Sequence, residues 1–197
     1  MTEKNLLQSV ISSPEFNDLD EMKGVVVGNR IPREYFTTRG IGESDITIHA
    51  GSYHLALKKA GIERANIMLY SSIMPGIAQE TTNPYQLQHG EVMEVIMAAA
   101  HGNKGERVTA GIIYGWLYNK QTGKKYGGLV CEHNGNYTIE EIEDLLRSSL
   151  NELYYNGFSE EFELKDISLM TESFVPQKKY GTALVAICFT NFFVPVL

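Results

Sequence analysis

Beyond its first two dozen residues this chain carries its apolar residues mostly in short β-like runs, and only two later segments space them as a helix does. Residues 1–22 are polar and irregular, with one short helix expected at Leu6–Ile11, so residues 1–23 read as a flexible N-terminal extension. From Gly24 the stretch GVVVGNRIPREYFTT is rich in β-branched and aromatic residues, interrupted by Pro32. Gly40-Ile-Gly-Glu-Ser-Asp45 then reads as a loop. Ser52–Ala60 fits a helix with Tyr53, Ala56, Leu57 and Ala60 on one face, and Gly61 stops it. Asn66–Tyr70 is a short apolar strand that runs directly into Ser71-Ser72-Ile73-Met74-Pro75. EVMEVIMAAA, VTAGIIYGWLY and YGGLVCEH follow as strands separated by Gly, Asn and Lys turns. Thr138-Ile-Glu-Glu141 is a capping box, and its helix should reach Tyr155 and bury Ile142, Leu145, Leu146, Leu150 and Leu153. Strands around Phe162–Phe174 and Gly181–Phe193 close the chain. Many strands, few helices and no βαβ alternation point to an α+β sandwich.

The length of 197 residues suits one domain with a substantial core, here residues 24–197. A hydrophobic fraction of 43% and a charged fraction of 21% are those of an ordinary globular protein. No apolar run approaches the roughly 18 residues a membrane span needs, and the N-terminus lacks a signal peptide's basic start and apolar core. Cys131 and Cys188 sit in apolar segments without metal-ligand spacing, so they read as buried reduced thiols of a cytoplasmic protein. The net charge of −7 argues against nucleic acid or an anionic membrane as partner and suits a cationic substrate.

The candidate chemistry lies in Ser71-Ser72-Ile73-Met74-Pro75, at the end of a strand. Alone, Ser-Ser before Pro is an ordinary turn. Its company is more specific: Asn66 stands five residues before Ser71, GESD fills 42–45, HGEVMEVIMA fills 89–98, and Gly127-Gly128-Leu129-Val130-Cys131-Glu132 lies downstream. These four separated motifs, in this order, resemble the pyruvoyl-dependent arginine decarboxylases, and the resemblance runs from about Val25 to about Phe192. It implies a four-layer α/β/β/α sandwich, with processed protomers assembled as homotrimers, or as two trimers paired, and active sites between neighbouring subunits.

The resemblance also implies a mechanism. Ser72 attacks the carbonyl of Ser71, and the chain divides into residues 1–71 and 72–197 with a pyruvoyl group left in place of Ser72. Asn66 matches the family's processing asparagine, whose amide can donate to the charge developing on that carbonyl. The pyruvoyl ketone condenses with an amino-acid amine and accepts electron density as CO₂ leaves, so neither pyridoxal phosphate nor a metal is called for. Glu132 matches the family's catalytic glutamate, the proton donor that completes the reaction. The implied reaction is L-arginine to agmatine and CO₂.

One position departs from the pattern. Aligned on Ala60-Gly61-Ile62, His54 stands where the arginine enzymes carry an acid that pairs with the guanidinium. A histidine cannot serve as that carboxylate. Glu63, Glu43 or Asp45 could supply the charge, or the substrate is another amino acid or pathway precursor. A third reading is a non-catalytic trimeric relative, against which the joint presence of Ser71, Ser72, Asn66 and Glu132 argues. His49, His89, His101 and His133 show no metal-ligand spacing. Gly40 and Gly42 resemble part of a phosphate loop, but no GK[ST] follows; Lys58-Lys59 reads as a solvated helix face.

Overall fold

The computed structural model describes residues 29–82 and 87–195; the short helix expected at Leu6–Ile11 and the start of the first β-like stretch lie outside them. The chain enters on strand β1 (Ile31–Ser44), passes through a π-helical turn (Ile48–Tyr53) into helix α1 (His54–Ala60), and then forms β2 (Asn66–Leu69), β3 (Ile73–Pro75) and β4 (Gln79–Glu80). Three long strands follow, β5 (Val92–Asn103), β6 (Val108–Asn119) and β7 (Lys125–Gly135), then helix α2 (Ile139–Gly157) and strands β8 (Phe162–Phe174) and β9 (Tyr180–Phe193). One sheet has the order β2-β5-β9-β1-β4 and the other β3-β7-β6-β8. This is a mixed α+β fold with two sheets and few helices, compatible with a sandwich.

The central strands are apolar on both faces, because both faces are covered. In β5, Ile96, Ala98 and Ala100 join a cluster that also takes Ile112, Tyr114 and Trp116 of β6 and Val185, Ile187 and Phe189 of β9. The alternate residues Met93 and Val95, with Leu184, Ala186 and Cys188, pack with Ala56, Leu57 and Ala60 of α1. Ile113 and Leu117 of β6 and Leu129 of β7 pack with Ile142, Leu146 and Leu150 of α2. The period of two is therefore present but masked, since each face meets a different apolar partner.

Three expectations need correction. Gly40–Ser44 is not a loop but the end of β1, and its glycines serve close packing. A Cβ at Gly40 would lie 2.2 Å from the Ala56 carbonyl oxygen, and one at Gly42 2.2 Å from that of Ser52, so only glycine lets the strand approach the helical segment this closely. The helix expected from Ser52 begins as the π-helical turn and becomes α-helical at His54; Gly61, at φ 77°, ends it as expected. In α2 the capping box forms, with Thr138 Oγ1 accepting from Glu141 N–H and the Glu141 carboxylate accepting from Thr138 N–H. Ile142, Leu146 and Leu150 are buried there, whereas Leu145 and Leu153 are exposed, because the buried stripe advances by four residues and leaves them beside it.

Residues 32–192 make one compact unit; the second unit, Met1–Ile31 with Phe193–Leu197, lies mostly outside the described residues. Among the described residues no helix is long and apolar enough to cross a membrane.

Candidate active site

The chain changes sheets at residues 70–72. Strand β2 runs parallel to β5 with Leu69 opposite Val95, and Tyr70 N–H extends the pairing by donating to Val95 O at 2.7 Å. Two residues later the chain is on the other sheet, where Val130 N–H donates to Ser72 O at 3.1 Å and β3 pairs with β7, Ile73 opposite Leu129. The Ser71–Ser72 peptide bond therefore spans two anchored sheet edges. Between them Ile73 N–H donates to Ser71 O at 2.9 Å. Nearby the Tyr70 hydroxyl donates to the buried carboxylate of Glu94, and its ring lies 5.5 Å from that of Phe189.

Ser72 meets Glu132. The Ser72 hydroxyl donates to the Glu132 carboxylate at 3.0 Å from each oxygen. Strand β3 covers only three residues of the β7 edge, up to Leu129, so Glu132 occupies an uncovered stretch of that edge. A cleft of about 490 Å³ opens there, bounded by Ser72, Val130, Cys131, Glu132 and His133 on one side and by α2 on the other. Ser149, Glu152, Leu153 and Asn156 line the helical wall, at the spacing that puts them on one face. His133 Nε2 and Ser149 Oγ, 2.8 Å apart, tie the two walls together. Burial, helped by the neighbouring Glu132, pushes the Cys131 thiol up to about 11, and burial also raises that of Cys188.

The remaining candidates stand apart from this cleft. Asn66 opens β2 and donates its side-chain amide to Gly90 O at 2.9 Å. Five residues of extended chain separate it from Ser71, about 16 Å at the usual rise. Its amide is engaged away from the scissile bond of its own protomer. His54 is exposed at the start of α1. Glu63 lies 3.8 Å from the Arg64 guanidinium. Glu43 accepts from the backbone N–H of Gln177 and Lys178, and Asp45 from that of Lys179, so these two acids pin the loop between β8 and β9. Glu152 escaped the sequence reading; its only signal was the polar 149/152/156 stripe beside the buried one on α2.

With this geometry in place, comparison with known proteins defines the class of the chain. The class is that of the pyruvoyl-dependent carboxy-lyases. The chain belongs to the pyruvoyl-dependent arginine decarboxylase family, whose model matches residues 34–193. Among its relatives, pyruvoyl-dependent arginine decarboxylase AaxB of Chlamydia pneumoniae is 29% identical over 84% of this chain and 94% of its own. The protein of the same description from Chlamydia muridarum is 28% identical with the same coverage. A pyruvoyl-dependent arginine decarboxylase of Thermoplasma volcanium is 28% identical over 72% of this chain and 83% of its own. Membership implies a covalent pyruvoyl cofactor.

Proposed function

We propose that this chain cuts itself between Ser71 and Ser72, giving chains 1–71 and 72–197, turns Ser72 into a pyruvoyl group, and decarboxylates an amino acid, with L-arginine to agmatine as the first choice. The observation that carries this reading is the Ser72 hydroxyl held 3.0 Å from both oxygens of Glu132, in a cleft roomy enough for an amino acid. The residue that would become the cofactor thus already faces the acid that would work beside it, which is the fit a chain-derived group requires.

The pyruvoyl group would supply the electron sink for loss of CO₂. Around it, Glu132 delivers a proton to the carbon that has lost its carboxylate. Residues 130–133 of β7 fix the substrate's reacting end, and α2 walls off its side chain. Glu152, which has no hydrogen-bond or ion-pair partner among the described residues, supplies a negative charge for a guanidinium inside the same protomer. Glu63, Glu43 and Asp45 would serve this role only from a neighbouring copy.

An assembly is part of the reading. Met68 (52% exposed), Leu69 (66%) and Ile73 (67%) leave an apolar strip on both sides of the cleavage site, as a subunit interface would require. A homotrimer of four-layer α/β/β/α protomers, in the cytoplasm, would cover it, and Asn66 would then act on a neighbour's scissile bond. A second reading, a different amino-acid substrate, is favoured by the exposed His54 where the arginine enzymes place an acid.

The test is an intact-mass spectrum of wild type and Ser72→Ala, followed by an amino-acid panel assayed for CO₂ release. Wild type should appear as two chains cut at Ser71–Ser72 and the variant as one. A variant still cut at that bond would refute the mechanism.

A further inference from the structure

The carbonyl that Ser72 must attack belongs to Ser71, and in the uncut chain its oxygen already has a donor 2.9 Å away, the backbone N–H of Ile73. A hydrogen bond from residue i+2 back to residue i closes a γ-turn, here centred on Ser72. Among the described residues Asp166 is the only non-glycine with positive φ, so Ser72 sits in the inverse, unstrained form of the turn. Backbone strain of the left-handed kind is therefore not what activates this bond, which turns attention to the groups that meet the Ser71 carbonyl.

Both flanks of the turn are clamped. Upstream, Tyr70 N–H is bonded to Val95 O; downstream, Ser72 O accepts from Val130 N–H and Ile73 is in register with Leu129. The Ile73 N–H is thus aimed at the Ser71 oxygen by two separate sheets before any chemistry begins. No reorganisation is needed when charge appears there, which is the condition under which such a donor is most effective.

We infer that the Ile73 N–H is an oxyanion donor for self-cleavage, the one supplied from within the protomer by the backbone next to the bond that breaks. The inference rests on the self-cleavage proposed above. In the step concerned, a bond forms between Ser72 Oγ and the Ser71 carbonyl carbon, and the carbonyl π pair moves onto oxygen, which takes a full negative charge. Collapse re-forms the C=O bond as an ester and breaks the C–N bond to Ser72. The Oγ proton passes to solvent in the open cleft, and solvent protonates the departing nitrogen. A bond accepted by a neutral carbonyl oxygen becomes charge-assisted at the tetrahedral stage, so it favours the transition state over the ground state. Asn66 cannot supply this donor from within the protomer, because its amide is bonded to Gly90 O at the far end of β2.

The test removes one hydrogen. In the full-length chain Ile73 is replaced by its α-hydroxy-acid analogue, which keeps the side chain and exchanges the N–H for an ester oxygen. Cleavage followed by intact mass should slow about 10²–10³-fold, the usual effect of losing one oxyanion donor. Since an ester can loosen β3, a second measurement does not depend on cleavage. In the uncut Ser72→Ala chain with a ¹³C-labelled Ser71 carbonyl, the carbonyl stretch should lie at lower frequency than in the same chain carrying the ester at residue 73. Wild-type cleavage rates in the ester chain, or an unmoved stretch, would overturn the inference while leaving self-cleavage standing. A wild-type chain that stays uncut would overturn both.

Discussion

Glu132→Gln separates the two reactions that meet at this site. In the uncut chain both carboxylate oxygens of Glu132 accept from the Ser72 hydroxyl at 3.0 Å. Glutamine has the same shape and keeps one acceptor oxygen, so the hydroxyl stays oriented. What it loses for cleavage is the difference between a charged and a neutral acceptor, about 1 kcal/mol, and the Ser71–Ser72 bond should be cut no more than about tenfold more slowly. What it loses for decarboxylation is the whole proton-donor function, because an amide has no acidic proton to deliver. General acids contribute about 10²–10⁴ in rate, so turnover should fall by that factor, or by about 3–5 kcal/mol of transition-state stabilisation. The assay pairs intact mass, which reads cleavage, with CO₂ release by the cut protein at saturating arginine. Near-normal turnover would remove Glu132 from the acid role. Equal losses in both reactions would make it the base that activates Ser72, and the division of labour argued here would be wrong.

Other outcomes follow from the same geometry. Glu152→Gln should raise KM for arginine about tenfold and leave chain cleavage unchanged, since a partly solvated charge-assisted pair is worth about 1.5 kcal/mol; an unchanged KM would move the guanidinium to another acid, Glu63 of a neighbouring copy first. His54→Asp should then do little for arginine turnover, whereas a large gain would mean that the native substrate lacks a guanidinium. Gly40→Ala should cost about 1–3 kcal/mol in chemical denaturation, because its Cβ would sit 2.2 Å from the Ala56 carbonyl oxygen and α1 would have to move; an unchanged midpoint would contradict the packing of β1 on that helix. Cys131, held near 11 by burial and by Glu132, should react with iodoacetamide about a hundredfold more slowly at pH 8 than an ordinary thiol and keep gaining about tenfold per pH unit until the pH nears that value, because only the thiolate attacks; fast labelling at pH 8 would mean that the cleft is more open than the structure has it.

The elements that could be read along the chain are those whose signals are local. Thr138 and Glu141 cap α2 through bonds spanning three residues, and Gly61 ends α1 with its own φ, so both were visible in sequence. Gly40 and Gly42 mislead for the opposite reason. Glycine in a loop and glycine under a helix look identical until the helix is in place, and α1 reaches β1 only through the tertiary fold. Leu145 and Leu153 fit a helical stripe by spacing alone. Which residues of a stripe are buried depends on how far the opposing sheet extends, and at Leu153 it stops at the open β7 edge that forms the cleft.

The site divides along the same line. Ser72 and Glu132, sixty residues apart, could be linked from sequence only through the family resemblance, and β3 on β7 brings them within hydrogen-bond distance. Glu152 reaches the cleft because α2 packs back over the strand that carries Glu132, a consequence of Ile142, Leu146 and Leu150 sharing a core with Leu129. The donor from Ile73 had no sequence signal at all, because a backbone N–H is the same in nearly every residue and only the path of the chain aims it. This separates two kinds of contribution to the proposed chemistry. Side chains such as Ser72 and Glu132 can be lost by substitution and so mark the activity in sequence. The polarised carbonyl at Ser71 survives any change at residue 73 that preserves the crossover and the N–H. A relative could therefore differ there in side chain and still cut itself at a similar rate, provided that β2 and β3 still hand the chain from one sheet to the other.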